Sequence, residues 1–567
     1  MSLNIRQWLA ERQIDLNKLL SPGAEVSGVA FRAIQEMELK SLTPFDICAV
    51  ADTLELPLRA SVRIAQPIAQ LTIGLLRLWS RKKTLKRAEG TWLAFQVVYL
   101  NALQEILEQE ARLRRPWLDR ARVPVGDDLN HPFSDPQLQG LLHTLRPGRL
   151  SDSQAEQALV RVGESFLVQQ MNKLAIAWLM ANGAENTEAQ LLVQRLTNGL
   201  PGHLLAVIAE NAIPLAQLQK FVRLGEFGQR DATSTEDPPS ESENAELSLA
   251  VDLERERYRA QLLSALSEPM LGATFSLKDL YVPPKGIPLG LDVASASPEE
   301  PASENARAVD VYDWVKEQLQ DPQSIAALEA ESGWGKTSFC QNLAARVARD
   351  LYPEWMPVFI RLRDVKLGYT LEQSLESALP QGRFSEADGW LLRPSPPLLL
   401  ILDGLDELPP SPRKLRHRFA FVDQLMQFHA QALSSKPALK HKILLASRSN
   451  PFEGLNRKYR IGSLFPLQAQ WRRIVIQPME REALQQWFLQ WAKLQSKQIS
   501  HRYFTFLRDE GVFGKRFPNR EVALLVHQPL MLYLLGVLHR DGLLDREMLA
   551  LSLPRIKFEI YERITRW

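Results

Sequence analysis

The chain has 567 residues, 45% of them apolar, and its 68 Lys+Arg against 66 Asp+Glu leave a formal charge of +2. That length predicts several cores and about three or four domains, and the balanced charge excludes a global field that recruits nucleic acid or an anionic membrane. Cys48 and Cys340 are the only thiols, which excludes a disulfide framework and a cysteine metal site and fits a cytoplasmic protein.

The opening MSLNIRQWLAERQ has scattered charges and no apolar core, so no secretory signal is expected. Residues 1–60 hold helix-sized pieces, IRQWLAERQ, DLNKLL, SGVAFRAIQEM and LTPFDICAVADTLELPL, separated by SPGAE and KS. Their spacing looks like a helix-turn-helix of the phage-repressor kind, but the recognition helix from Ser27 offers only Arg32 and Gln35 as strong base-reading side chains. DNA binding is therefore kept as the lesser alternative to a packing or signalling module.

Residues 61–229 read as all-α, with Leu93, Val97, Leu100, Leu103 and Leu107 at helical spacing. The apolar stretch from Ile64 to Trp79 is interrupted by Gln66, Gln70 and Arg77 and falls short of the roughly 20 residues a spanning helix needs. It reads as a buried amphipathic helix, and no transmembrane segment is predicted. The basic cluster from Arg77 to Arg87 suits either phosphate groups or a solvated helix face. No HExxH, nucleophile elbow or P-loop occurs in residues 1–229, so the effector activity of this part is not readable.

Residues 230–249 are rich in Ser, Pro, Glu and Asp and read as a disordered linker. The bridge, 250–292, combines a helix over LERERYRAQLLSALSE with an extended run FSLKDLYVPP that its prolines end. A second linker spans 293–308. From 309 to 479 apolar runs alternate with helices: SIAAL, MPVFIRL, PPLLLILD, KILLAS and RIVIQP. Short, nearly unbroken apolar strands between helices predict a parallel sheet covered on both faces. Residues 480–567 read as helical again.

The strongest motif is Ala330-Glu331-Ser332-Gly333-Trp334-Gly335-Lys336-Thr337, between a predicted strand at Ile325–Leu328 and a predicted helix at Ser338–Asp350. This is the context of a P-loop. Its glycines let backbone N–H groups curl around phosphate, the helix N-terminus adds positive potential, Lys336 reaches the terminal phosphates and Thr337 ligates Mg²⁺. Residues Ser332 to Ser338 are thus the expected nucleotide cradle. Ala330 stands where the pattern has its first Gly, so the turn there must be one that Ala tolerates.

An apolar strand ending in Asp403-Gly404-Leu405-Asp406-Glu407 follows. Asp403 is expected to hold Mg²⁺ directly or through water, and Asp406 and Glu407 to orient and polarise the attacking water. Arg448, after the strand KILLAS, is a candidate γ-phosphate sensor at the end where ligands sit in parallel sheets.

Together these motifs resemble the NACHT branch of the STAND class of P-loop NTPases, over about residues 250–567. The family has a paired-acid strand end like DGLDE, a sensor strand like LLASR, and an apolar strand entering a polar loop like MPVFIRLRDV. His527-Gln528-Pro529-Leu530 resembles its lid proline, FSLKDLYVP the segment before such domains, and IYERITRW the entrance to the winged-helix region. The resemblance implies an AAA+-like parallel sheet with a helical lid carrying Pro529, and a slow ATP/ADP switch with Mg²⁺. It further implies an autoinhibited ADP form and an ATP form that homo-oligomerises. Antiphage defence is an expected setting. Where the family usually has a C-terminal repeat array, this chain stops, which suggests a truncated chain or a separately encoded sensor. The alternatives are a STAND-type transcription regulator that uses the N-terminal helices on DNA and a nucleotide-locked scaffold that hydrolyses little.

Overall fold

The computed structural model describes residues 86–120, 150–221, 253–289, 307–379, 390–409, 414–449, 471–513 and 524–565, apart from single positions and short gaps. The helix-turn-helix-like pieces and the two linkers lie almost wholly outside the described residues. The chain divides into two compact units, Met1–Ser276 and Leu277–Trp567.

In the first unit the described elements are helical: α1 (Arg87–Arg112), α2 (Pro116–Arg120), α3 (Asp152–Val160), α4 (Phe166–Ala181), α5 (Asn186–Glu210) and α6 (residues 253–265). The five apolar positions that set the helical period, Leu93, Val97, Leu100, Leu103 and Leu107, are all at most 4% exposed. Every residue from Ala88 to Leu100 is buried, so α1 is a central helix, apolar on nearly all sides, rather than a surface one. α5 packs along it. At Gly202 on α5 a Cβ would lie 2.7 Å from the carbonyl oxygen of Ala260, so only glycine lets α5 and α6 come this close.

This core also contains a closed ionic network. Arg195 and Glu110 are both fully buried, with Nη1 donating to Oε1 at 2.7 Å. The guanidinium also donates to Gln109 Oε1 and the Thr274 carbonyl, and Trp117 Nε1 donates to Glu110 Oε2 at 2.9 Å. Removing Arg195 or Glu110 alone leaves the other's charge buried and uncompensated, at a cost of about 3–5 kcal/mol.

The second unit is built on a seven-stranded sheet. Its elements run α7 (Leu277–Leu280), β1 (Lys285–Leu289), β2 (Val309–Asp310), α8 (Val311–Gln318), β3 (Ile325–Glu329), α9 (Lys336–Asp350), β4 (Met356–Arg361), α10 (Leu371–Glu376), β5 (Leu398–Asp403), α11 (Lys414–Ser434), β6 (Lys442–Ser447) and β7 (Trp471–Ile476). Helices α12 (Arg481–Leu494), α13 (Lys497–Asp509), α14 (Pro529–Arg540), α15 (Arg546–Leu549) and α16 (Leu553–Thr565) follow. The strand order is β2-β1-β7-β3-β6-β5-β4, and the five strands from β7 to β4 are parallel. β3, β5 and β6 are buried along their whole length, as strands covered on both faces must be.

Two features differ from the expected parallel sheet. β1 and β2 add an antiparallel edge, β1 pairing with both β7 and β2. The run FSLKDLYVPP is not extended throughout: Leu277–Leu280 forms one helical turn, and the strand comes after the two prolines, as KGIPL. Gly286 is needed in that strand, because a Cβ would meet Ile474 Cγ1 of the neighbouring strand at 2.8 Å. Among the described residues no helix is long and apolar enough to cross a membrane.

Candidate functional site

β3 and α9 are joined by a tight loop at the C-terminal end of the parallel strands, where such sheets bind ligands. Gly333 and Gly335 have φ of 85° and 86°, a left-handed conformation that glycine adopts without strain. Ala330 is not among the positive-φ residues and donates its N–H to the Ser447 carbonyl of β6 at 3.2 Å. The position therefore takes Ala without left-handed backbone strain. Ser332 is exposed, Trp334 is half-buried, and Ser338 lies in the first turn of α9.

Lys336 begins α9 and folds back over the loop, its Nζ donating to the carbonyls of Ala330 and Glu331. Burial depresses its pKa, while the nearby carboxylates of Asp406 and Asp403 oppose the shift. Thr337 Oγ1 donates to Asp403 Oδ2 at 2.7 Å. Asp403 is 6% exposed. Burial, followed by the neighbouring Glu407, raises its pKa against the pull of the Thr337 bond, Lys336 and Arg361. Arg361, directly across the β4–β5 ladder from Asp403, is a cation that the sequence reading did not assign.

The two acids after Asp403 are not equivalent. Gly404, at φ 84°, turns the chain out of β5 and donates its N–H to the Ala446 carbonyl at 3.0 Å. Asp406 is then pinned to β6: Arg448 Nε lies 2.9 Å from its Oδ2, and the Ser447 hydroxyl and Arg448 N–H donate to Oδ1 at 3.2 and 3.3 Å. Glu407 is exposed, and its side chain has no partner among the described residues.

The start of α14 covers the same loop. Pro529 is its first residue, and the Leu530 N–H approaches the Gly333 carbonyl at 3.4 Å. A Cβ on Gly335 would touch Pro529 Cγ at 3.8 Å, and one on Gly333 would crowd Gln528 Oε1 at 3.2 Å. Gln528 Oε1 is buried without a hydrogen-bond donor, so an acceptor faces the loop. His527 holds this segment, with Nδ1 2.6 Å from the Met479 carbonyl and its own carbonyl accepting the Met479 N–H at 2.9 Å.

These groups fit a magnesium nucleotide. The glycine cradle and the N-terminus of a 15-residue helix suit phosphate, and the Thr337 hydroxyl and Asp403 carboxylate are the hard oxygen donors that Mg²⁺ takes. Asp403→Asn tests the pair. The raised pKa means that folding favours the protonated carboxyl, a contribution present at acid pH and lost as pH rises through the shifted value. The variant removes that buried charge, so it is expected to melt no lower than wild type without ligand. It is also expected to lose most of the stabilisation that Mg·ATP at 100 Kd gives the wild type, about 2.7 kcal/mol. In wild type, Mg²⁺ dependence should fade on acidification above the ordinary carboxylate range. Calorimetry with and without Mg²⁺ across pH reads both effects, and an equal ligand gain in the variant would remove Asp403 from the metal site.

Comparison with known families agrees with the geometry. The model of the NACHT domain matches residues 324–495, from just before β3 through α12, and that of NACHT N-terminal helical domain 3 matches residues 37–277. No curated protein matches the chain. NACHT domains are nucleoside triphosphatase domains built on a P-loop. With a NACHT domain behind a NACHT N-terminal helical domain, the chain belongs to the NACHT-type STAND P-loop NTPases.

Proposed function

We propose that the protein is a nucleotide-driven switch that binds ATP with Mg²⁺, hydrolyses it slowly and oligomerises in the ATP form. The observation that supports this best is the convergence on one loop of Lys336, the Thr337–Asp403 pair, the Asp406–Arg448 pair and the lid residue Pro529. A bound nucleotide would touch both the sheet and the lid, so it would have different affinities for open and closed lids, the condition for shifting a two-state equilibrium.

In this reading the Gly333–Ser338 backbone orients the phosphates, and Thr337 and Asp403 would hold the metal, which would offset phosphate charge when bound. Water attacks the γ-phosphorus in line with the leaving ADP oxygen. Glu407, free to turn toward the solvent, positions that water and takes its proton, while Lys336 offsets developing charge. Asp406 acts as a positioning residue that aims Arg448 at the γ-phosphate.

The family resemblance supports a cytoplasmic signalling role in antiphage defence, with a trigger supplied by another molecule. Light scattering of the purified chain tests the switch: Mg·ATP is expected to give an assembly of several chains and Mg·ADP a monomer. The same mass in both nucleotides would overturn the switch reading and favour a nucleotide-locked scaffold.

A further inference from the structure

The lid region has a second concave feature that nucleotide binding does not use. A groove of about 1630 Å³ is lined by α12 and α13, with Leu524 and His527 beside them. That volume exceeds the roughly 300–1,000 Å³ that small organic ligands occupy. Its floor is aromatic: Phe504 meets Phe488 edge-on at 5.3 Å and stacks on Phe513 at 5.5 Å. Leu489 is 66% exposed and Phe504 40%, so the floor is open to a partner.

Among the described residues the rim has one sign of charge: Arg481, Lys493, Lys497, His501 and Arg508 line the groove, and no Asp or Glu does. Arg508 pairs with Asp509, but Arg481, Lys493 and Lys497 have no ion-pair partner among the described residues. The lining positions on α13, Lys497, Ser500, His501, Phe504 and Arg508, recur at helical spacing, so one face of that helix sets Phe504 among basic and polar side chains, opposite the apolar Leu484, Phe488 and Leu489 of α12. A groove of this shape and charge accepts a helix whose own apolar stripe is flanked by carboxylates.

We propose that this groove is the docking site for an acidic amphipathic helix of a partner protein, and that its occupancy biases the lid. The link is His527, which lines the groove, is tied to Met479, and directly precedes the Gln528-Pro529 pair that covers the P-loop. Docking stands independently of nucleotide binding; the effect on the lid rests on the nucleotide-switch reading.

The test uses the full chain and two fluorescein-labelled synthetic amphipathic peptides with the same Leu/Ala stripe, one flanked by Glu and the other by Lys. By fluorescence anisotropy the Glu peptide is expected to bind at least about tenfold more tightly. Lys493 and Lys497 are exposed, so Lys493→Glu/Lys497→Glu should fold normally and reverse that preference, while Leu489→Asp should weaken binding of the Glu peptide. Equal binding of the two peptides, binding of neither, or an unreversed preference in the double variant would overturn the docking site. So would capture of anionic phospholipid vesicles in place of the Glu peptide. In a second arm the Glu peptide is expected to change the release rate of a fluorescent ADP by about threefold or more; an unchanged rate overturns the link to the lid. Failure of nucleotide binding itself shows as no ADP signal at all, and the peptide arm then decides the docking site alone.

Discussion

Lys336→Ala is expected to weaken Mg·ATP binding by about ten- to a hundredfold, the loss of one hydrogen-bonded charge contact worth roughly 1.5–3 kcal/mol. Among the described residues this ammonium donates to only two groups, backbone carbonyls of its own loop, and burial already disfavours its charge. Deleting it therefore leaves no unpaired carboxylate behind: Asp403 keeps Thr337 and Asp406 keeps Arg448. The fold should survive, so melting temperature without nucleotide stays at or above that of wild type while affinity collapses. Titration with a fluorescent ATP analogue, beside a thermal melt, separates the two effects. Unaltered affinity in a folded variant would mean that the loop does not carry the phosphates.

Glu407→Gln is expected to keep wild-type affinity and to lower turnover by about 10²–10⁴-fold, the contribution of a positioned proton acceptor. The variant should then accumulate as the ATP-bound assembly. Glu407 is the available base because Asp406 is already engaged through both oxygens with Ser447 and Arg448. Asp406→Asn, by contrast, should lower both affinity and turnover by loosening Arg448. Phosphate-release kinetics under saturating Mg·ATP distinguish the two substitutions. If Asp406→Asn alone abolished turnover and Glu407→Gln did not, the roles would be exchanged.

Much of this arrangement could be read from the sequence, for identifiable physical reasons. The strands IAALE, LLLILD and KILLAS are unbroken apolar runs because central parallel strands are buried on both faces. The P-loop was visible because phosphate geometry demands glycines, a lysine and a hydroxyl at fixed spacing. β1 was hidden by Gly286 and Pro288, which break any strand pattern, and only the close approach to Ile474 explains the glycine. The turn at Leu277–Leu280 was masked by the prolines that follow it. Arg361 could have been suspected as the polar end of an apolar strand, but its alignment with Asp403 comes from the β4–β5 register. The division of labour between Asp406 and Glu407 depends likewise on where β6 ends, and Gln528 gained a place only once α14 was found against Gly333.

The most direct test of the nucleotide site is the identity of whatever nucleotide the purified chain carries, released by denaturation and separated by chromatography, in wild type and Lys336→Ala side by side. ADP or ATP in the wild type, lost from the variant, is the predicted result. A wild type that is empty and also fails to take up added Mg·ATP would contradict it.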